Sequence, residues 1–210
     1  MTLSNYEIMR NQMRGEFLKY DQEKMIRKFH LGSDERYLYI DFVCRSYRVG
    51  RETGIVEWSE DEFKSAVEAD YNESMTIYDV LCYSKEECHL AEKFCPLHMA
   101  RGITKTLHSG GGMFQKTAEK FQGRIKQLKY ACDVLGKPAD MIGDVAAVLW
   151  VFPFLPVTLQ YWEEDDEFPS SIKFMYDENI LDYMHFETVY FMTGHILKRL
   201  VEIGENYMEV

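Results

Sequence analysis

Hydrophobic and polar residues alternate in two separate parts of the chain. Between 36 and 58, apolar side chains at every second position and a glycine-bounded turn at 50–54 predict a strand followed by a hairpin. Between 144 and 177, an apolar run and two further alternating segments predict three more strands. We therefore expect about six strands in two runs of three.

Other segments repeat hydrophobic residues at spacings of three and four, as a helix with one buried face does. These segments are 5–29, 113–135 and 185–207. Asp21 is the expected N-cap of a second helix within the first segment. The pattern over 113–135 predicts one amphipathic helix that ends at Gly136. Ser59-Glu60-Asp61-Glu62 has the form of a capping box and predicts a helix that begins at Glu60.

Strands in two runs with short connections are typical of an antiparallel sheet with helices packed on it, the α+β class. Gly and Pro are sparse and no linker composition interrupts the chain. We expect a single domain over 1–210, in which an N-terminal helix, central helices and a long C-terminal helix pack on the sheet.

The charge balance limits the classes of partner. The chain has 24 Lys and Arg against 35 Asp and Glu, a formal net charge of -11, and 46% hydrophobic residues. A folded protein with this excess of acid does not favour nucleic acid or an anionic membrane surface, because neutralising phosphates requires surplus Lys and Arg. We expect neither partner.

Cysteine usage and hydropathy bear on the compartment. The five cysteines are irregularly spaced, which favours reduced thiols over a disulfide framework. The beginning of the sequence has no apolar run of signal-peptide length, and the apolar stretch 145–157 is too short for a membrane helix. These features predict a cytoplasmic protein.

A distinctive motif consists of Trp162 with the Asp-Asp-Glu-Phe-Pro sequence at 165–169, followed by Asp177. Other short motifs occur in order along most of the chain, at Arg45–Val49, Ile77–Leu81, Gly111–Phe114, Leu135–Gly136, Gly143–Asp144 and Pro153–Val157. In these motifs the chain resembles the uncharacterised domain-of-unknown-function family 3786, which occurs mainly in anaerobic bacteria and archaea.

The resemblance brings no established activity with it. Some relatives look like domains fused to iron–sulfur modules of corrinoid proteins, which implies a connection with corrinoid or one-carbon metabolism. This chain departs from those relatives because it has no Cys-rich cluster-binding segment. The resemblance therefore implies a separate companion protein, with a tetrapyrrole among its expected ligands.

An acidic run at 163–167 suggests a metal site. Carboxylate oxygens are the ligands that hard cations such as Ca²⁺ or Mg²⁺ prefer. Asp166, Glu167 and Asp177 are the predicted ligands, and they would serve a metal-dependent enzyme. The alternative is a solvated hairpin loop whose acids face water, which is the more common role of such a run.

The glycines at 110–112 directly precede a helical pattern. Free backbone N–H groups at a helix N-terminus can hold an anion, with His108 and Lys116 nearby. Gly111, Gly112 and Lys116 are therefore candidate ligand-binding residues, and a flexible connector is the alternative. The segment 113–130 is locally basic, so it is also a candidate docking surface for an acidic protein partner.

No motif of a well-known catalytic chemistry is present in the sequence. The many aromatic residues instead favour a binding or accessory protein with a pocket between the sheet and the helices. The alternative is that these rings form the core. Trp162 and Tyr176 are the predicted aromatic ligand contacts, and the other candidate rings are Trp150, Tyr161 and Phe174.

Overall fold

The computed structural model describes residues 4–103 and 111–208. These residues form seven α-helices and ten strands in two antiparallel sheets, so the α+β class is confirmed. The prediction of a single sheet with about six strands is wrong in detail. The six long strands lie where alternation predicts them, and four further strands of two or three residues extend the sheets.

The chain divides into two compact units, which we describe separately. The first consists of the residues up to Cys88 together with Asp182–Met192. The second consists of His89–Leu181 and the residues from Thr193 onward. The single-domain organisation stays a prediction.

The first unit contains a five-stranded sheet in which strands that are consecutive along the chain pair with each other. Its strands are β1 (Gly32–Ser33), β2 (Tyr37–Phe42), β3 (Arg45–Gly50), β4 (Val56–Ser59) and β5 (Val67–Glu68). Its helices are α1 (Asn5–Phe17), α2 (Gln22–Phe29) and α3 (Tyr71–Tyr83). The Asp21 carboxylate accepts a hydrogen bond from the backbone N–H of Lys24, which confirms the predicted N-cap of α2.

Helix α3 is almost entirely buried, and α1 packs against it. The Tyr78 hydroxyl of α3 donates a hydrogen bond to the carbonyl of Gly54, in the turn between β3 and β4. Phe17 and Tyr78 are fully buried with their ring centroids 6.1 Å apart. These contacts fix α3 against both α1 and the β3–β4 turn.

The second unit contains the other sheet, in the order β6-β10-β9-β8-β7. Its strands are β6 (Phe94–Cys95), β7 (Gly136–Pro138), β8 (Val145–Phe152), β9 (Leu155–Trp162) and β10 (Ser171–Asp177), and its helices are α4 (Gly111–Phe121) and α5 (Ile125–Leu135). A short 3₁₀ turn spans Leu97–Met99. Helix α4 packs on β10 and α5 packs on β8.

The helix predicted over 113–135 is two helices. Gly123 has a φ of 70°, a left-handed backbone that suits glycine and ends α4. Its backbone N–H donates a hydrogen bond of 2.6 Å to the Glu163 carboxylate. The basic segment 113–130 therefore does not form one continuous helical surface.

Two further helices complete the described chain, α6 (Ile180–Tyr183) and α7 (Phe186–Glu205). The boundary between the two units falls within each of them. Helix α7 confirms the long C-terminal helix predicted over 185–207. No helix among the described residues combines the length and the apolar character needed to cross a membrane.

Candidate functional site

A cavity of about 820 Å³ lies in the first unit, beside the turn that joins β2 to β3. Its walls come from β2, β3 and the segment that follows β4. The lining residues are Tyr39, Cys44, Arg45, Ser46, Arg48, Ser59, Glu60, Glu62 and Phe63. A cavity of this size with convergent polar groups is the usual location of a small-molecule site. We call it the β-turn pocket.

Two turns of unusual backbone form the rim of the β-turn pocket. Val43 and Cys44 have φ values of 48° and 50°, and Glu62 and Phe63 have values of 59° and 63°. Left-handed backbone costs about 1–2 kcal/mol for a residue with a Cβ. Val43 and Cys44 form the two-residue loop between the paired residues Phe42 and Arg45, and such a hairpin turn uses a φ above zero at both positions.

The segment after β4 is held by side chains rather than by a helix. The Ser59 hydroxyl accepts hydrogen bonds from the backbone N–H groups of Asp61 and Phe63, and it donates one to the Asp61 carboxylate. The bond from Ser59, followed by those from Ser65, lowers the pKa of Asp61 to about 2. The helix predicted to begin at Glu60 is therefore wrong, because Glu62 and Phe63 turn left-handed.

Arg45 forms the buried wall of the β-turn pocket. Its guanidinium lies 3.8 Å from the ring centroid of Trp58, and its side chain is only 6% exposed. One terminal nitrogen is 3.1 Å from the Glu60 carboxylate, and the other is 3.7 Å from the buried Glu73 carboxylate. The positive charge of Arg45 is therefore stabilised by a cation–π contact with Trp58 and by the carboxylates of Glu60 and Glu73.

Arg48 forms a second stacked wall. Its guanidinium carbon is 4.2 Å from the ring centroid of Tyr37 and 4.8 Å from that of Phe63. Its Nε donates a hydrogen bond of 2.8 Å to Glu57, which is its partner in the register of β3 and β4. The sheet register therefore neutralises Arg48 within the fold.

A carboxylate and an imidazole form a second candidate site in the first unit. One oxygen of Asp79 is 2.6 Å from Nδ1 of His185, and the other accepts a hydrogen bond of 2.7 Å from the backbone N–H of His185. The Asp79 side chain is 8% exposed, whereas that of His185 is 62% exposed. The ring of Tyr83 packs edge-on against the imidazole.

This geometry assigns the tautomer of the histidine. An ionised carboxylate only accepts hydrogen bonds, so Nδ1 carries the proton that points at Asp79. In the neutral ring Nε2 then has a free lone pair. A buried carboxylate that orients an imidazole in this way is one half of the arrangement used for general acid–base catalysis.

The three predicted metal ligands do not come together. Asp166 and Glu167 are exposed in the loop before β10, and Asp177 is buried at the other end of that seven-residue strand. A strand of this length separates its two ends by about 20 Å. Within residues 4–103 and 111–208, no group of three His, Cys, Asp or Glu side chains is arranged to hold a metal ion.

The predicted ligand-binding residues are also separated. Gly111 and Gly112 begin α4, and Lys116 is exposed on that helix. Trp162 pairs with Ser171 at one end of β10, so alternation places it on the opposite face of the sheet from Tyr176. His108 and Gly110 lie outside the described residues.

The rings expected to line a pocket between sheet and helices belong mostly to the core of the second unit. Tyr161, Phe174 and Tyr176 are buried, and the Tyr176 hydroxyl is 2.9 Å from the Thr193 hydroxyl. Trp150 is partly exposed, and Trp162 lies beneath the ammonium of Lys173.

Sequence reasoning missed the residues that form both candidate sites. Arg45, Arg48 and Asp79 lie in segments that carry the family resemblance, Arg45–Val49 and Ile77–Leu81, and this was the available signal. Asp79 and His185 are 106 residues apart, and no spacing rule connects them.

Two five-stranded antiparallel sheets with seven helices, within the described residues, define an α+β protein whose candidate sites lie in the first unit. A family model, the domain of unknown function DUF3786, matches residues 21–199. The chain belongs to this family. Comparison with curated proteins and with solved structures found no match for it.

Proposed function

We propose that the protein is a binding protein whose β-turn pocket holds a small organic molecule with a positively charged amino group. The observation that carries the proposal is the charge around the pocket. Glu60 and Glu62 line the pocket together with Arg45 and Arg48, and two glutamates outside the lining, Glu57 and Glu73, each lie within ion-pair distance of one of these arginines. These two arginines and four glutamates together carry a net charge of −2.

The exposed charges of the pocket are the acidic ones. The side chains of Arg45 and Arg48 are 6% and 17% exposed, whereas that of Glu60 is 67% exposed. Glu62 is also exposed. A cation is attracted into a cleft of this charge, and the rings of Tyr39 and Phe63 offer apolar surface beside it.

Thermal shift and isothermal titration calorimetry test the proposal with putrescine, spermidine and agmatine, and with succinate as an anionic comparison. We expect the amines to raise the melting temperature and succinate to leave it unchanged. Glu62→Gln removes one charge–charge contact and should weaken amine affinity about tenfold. Indifference of the wild-type protein to every amine would contradict the proposal.

Glu35→Gln is the matched control for Glu62→Gln. Glu35 is an exposed glutamate of the same unit that does not line the pocket. Its replacement changes the net charge by the same amount, so it should leave amine affinity within about twofold. An equal loss of amine affinity in both variants would show that Glu62 acts only through the net charge of the protein, and it would contradict a binding role for Glu62 in the pocket.

The connection with corrinoid or one-carbon metabolism is a further part of the proposal, and it rests on the family resemblance alone. Cobalamin therefore belongs in the same thermal-shift screen. A cobalamin shift that Glu62→Gln leaves unchanged would indicate a tetrapyrrole site elsewhere on the protein.

A second candidate function is acid–base catalysis by His185, favoured by the 2.6 Å contact with Asp79. We expect ¹⁵N-histidine NMR to show the Nδ1–H tautomer for the neutral His185 ring. Asp79→Asn should shift that ring toward the Nε2–H tautomer, because an amide can donate to Nδ1. His185→Gln identifies the signal, and unchanged tautomers in Asp79→Asn would refute the assigned dyad.

A further inference from the structure

Two almost completely buried polar side chains lie where β10 ends in the second unit: Asp177, the last residue of the strand, and Asn179, two residues further on. One Asp177 oxygen, Oδ1, accepts hydrogen bonds of 2.9 Å from the backbone N–H groups of Ala91 and Asn179. The Asn179 amide Nδ2 donates a hydrogen bond of 3.1 Å to the carbonyl of His89. The segment 89–93 is therefore tied directly to residues 177–179.

One side-chain oxygen of Asp177 and one of Asn179 accept no hydrogen bond from the described residues. Asp177 Oδ2 and Asn179 Oδ1 are buried, and no residue in the described ranges donates a hydrogen bond to either of them. Burying an unpaired polar group costs free energy, and the cost is far higher for a charged carboxylate. A buried oxygen of this kind calls for a partner such as an ion.

The neighbouring basic side chain does not supply that partner. Lys93 pairs with Glu178 at 3.3 Å, and its side chain is 69% exposed. Within the described chain, no Lys, Arg or His side chain lies within ion-pair distance of Asp177. Among the described residues, the backbone N–H groups of Ala91 and Asn179 alone compensate the negative charge of Asp177.

We propose that Asp177 Oδ2 and Asn179 Oδ1 are ligands of a monovalent metal cation, Na⁺ or K⁺. A carboxylate and an amide oxygen are hard donors, which suit hard cations. A single carboxylate neutralises one positive charge, whereas a divalent ion would leave a net positive charge in a buried place. The His89 carbonyl has a second lone pair and is a candidate third ligand.

The test is the melting temperature of the full chain in NaCl, KCl and tetramethylammonium chloride at equal ionic strength, with CaCl₂ and MgCl₂ as further arms. The tetramethylammonium salt controls for general screening of the acidic protein. We expect Na⁺ or K⁺ to raise the melting temperature by about 5 °C over tetramethylammonium. Equal values in all salts, or stabilisation by Ca²⁺ or Mg²⁺ alone, would overturn the proposal.

Asp177→Asn keeps the volume and the Oδ1 acceptor but removes the charge. We expect this variant to lose the Na⁺ or K⁺ shift and to be at least as stable as the wild type in tetramethylammonium chloride. Asp166→Asn, which removes an exposed acid of the same unit, should keep the full shift. A shift that persists in Asp177→Asn would refute the site.

Asn179→Asp provides an independent variant if Asp177→Asn does not fold. A second buried carboxylate should lower the melting temperature in tetramethylammonium chloride and enlarge the shift that metal cations produce. The variant also loses the Nδ2 hydrogen bond to the His89 carbonyl, which no cation restores, so the readout is the shift produced by metal cations. A shift no larger than that of the wild type would contradict the assignment of Asn179 as a ligand.

Discussion

Arg45→Met lowers the free energy of unfolding by about 3–5 kcal/mol, because it leaves the Glu73 carboxylate buried without its positive partner. Glu73 is 1% exposed, and Arg45 is the basic residue 3.7 Å from it. Burial and the nearby Glu73 carboxylate raise the pKa of Tyr47, so its hydroxyl stays protonated. A neutral hydroxyl does not replace the charge of a guanidinium.

Urea unfolding followed by circular dichroism measures the effect, with a second variant as the control. Arg45→Met combined with Glu73→Gln removes both charges, so it should recover much of the loss seen in Arg45→Met. Gln at position 73 keeps an amide oxygen that can accept the hydrogen bond from the backbone N–H of Asp70, so the double variant retains this capping contact at the start of α3. A double variant no more stable than Arg45→Met would show that the buried charge is not the cause.

Gly136→Ala is expected to be the most damaging glycine substitution in the second unit. Gly136 pairs with Leu149 where α5 passes into β7. An added Cβ would overlap the backbone carbonyl of Val148 and lie 2.9 Å from the Cα of Leu149. Backbone atoms in a paired strand cannot move aside as a flexible side chain can, so we expect a loss of about 3 kcal/mol.

Gly112→Ala is the matched control for Gly136→Ala. A Cβ at Gly112 meets no atom within 4 Å, and the residue is helical and exposed. Alanine there should leave stability unchanged or raise it by about 0.5–1 kcal/mol. Urea unfolding of both variants distinguishes the steric cause from a general loss of glycine flexibility, and similar losses in the two would contradict it.

The long strands could be predicted because alternation is a local property of the sequence. Strands such as β1 and β6 could not, since two residues contain no period and pair only because a longer strand lies beside them. The break at Gly123 was hidden for a related reason. Apolar spacing continues across it from Phe121 to Ile125, so the pattern indicates one helix where a left-handed residue separates two.

The β-turn pocket was not predictable, because it depends on strand register. Arg48 faces Tyr39 on one side and Glu57 on the other only once β2, β3 and β4 are paired. The Ser59 hydroxyl does accept backbone hydrogen bonds, as a capping residue does, but the chain then turns left-handed instead of continuing as a helix.

The acidic loop shows where reasoning from proximity in sequence fails. Asp166 and Asp177 are 11 residues apart, but Asp166 precedes β10 and Asp177 is the last residue of that strand, so the extended strand separates their carboxylates. The structure separates the two carboxylates and leaves Asp177 beside Asn179 instead, which no pattern of charges indicates.

The discontinuous composition of the first unit has a consequence for biosynthesis. Three residues of or near α3 contact the segment Asp182–Met192, which is made much later in the chain. The contacts are Asp79 with His185, Lys85 with Asp182, and Tyr71 with Phe191. A ribosome that adds about 5–20 residues per second needs about 5–20 s to pass from Cys88 to Asp182. During that interval the nascent first unit displays an unfinished surface around α3, to which a chaperone has access before the chain itself can cover it.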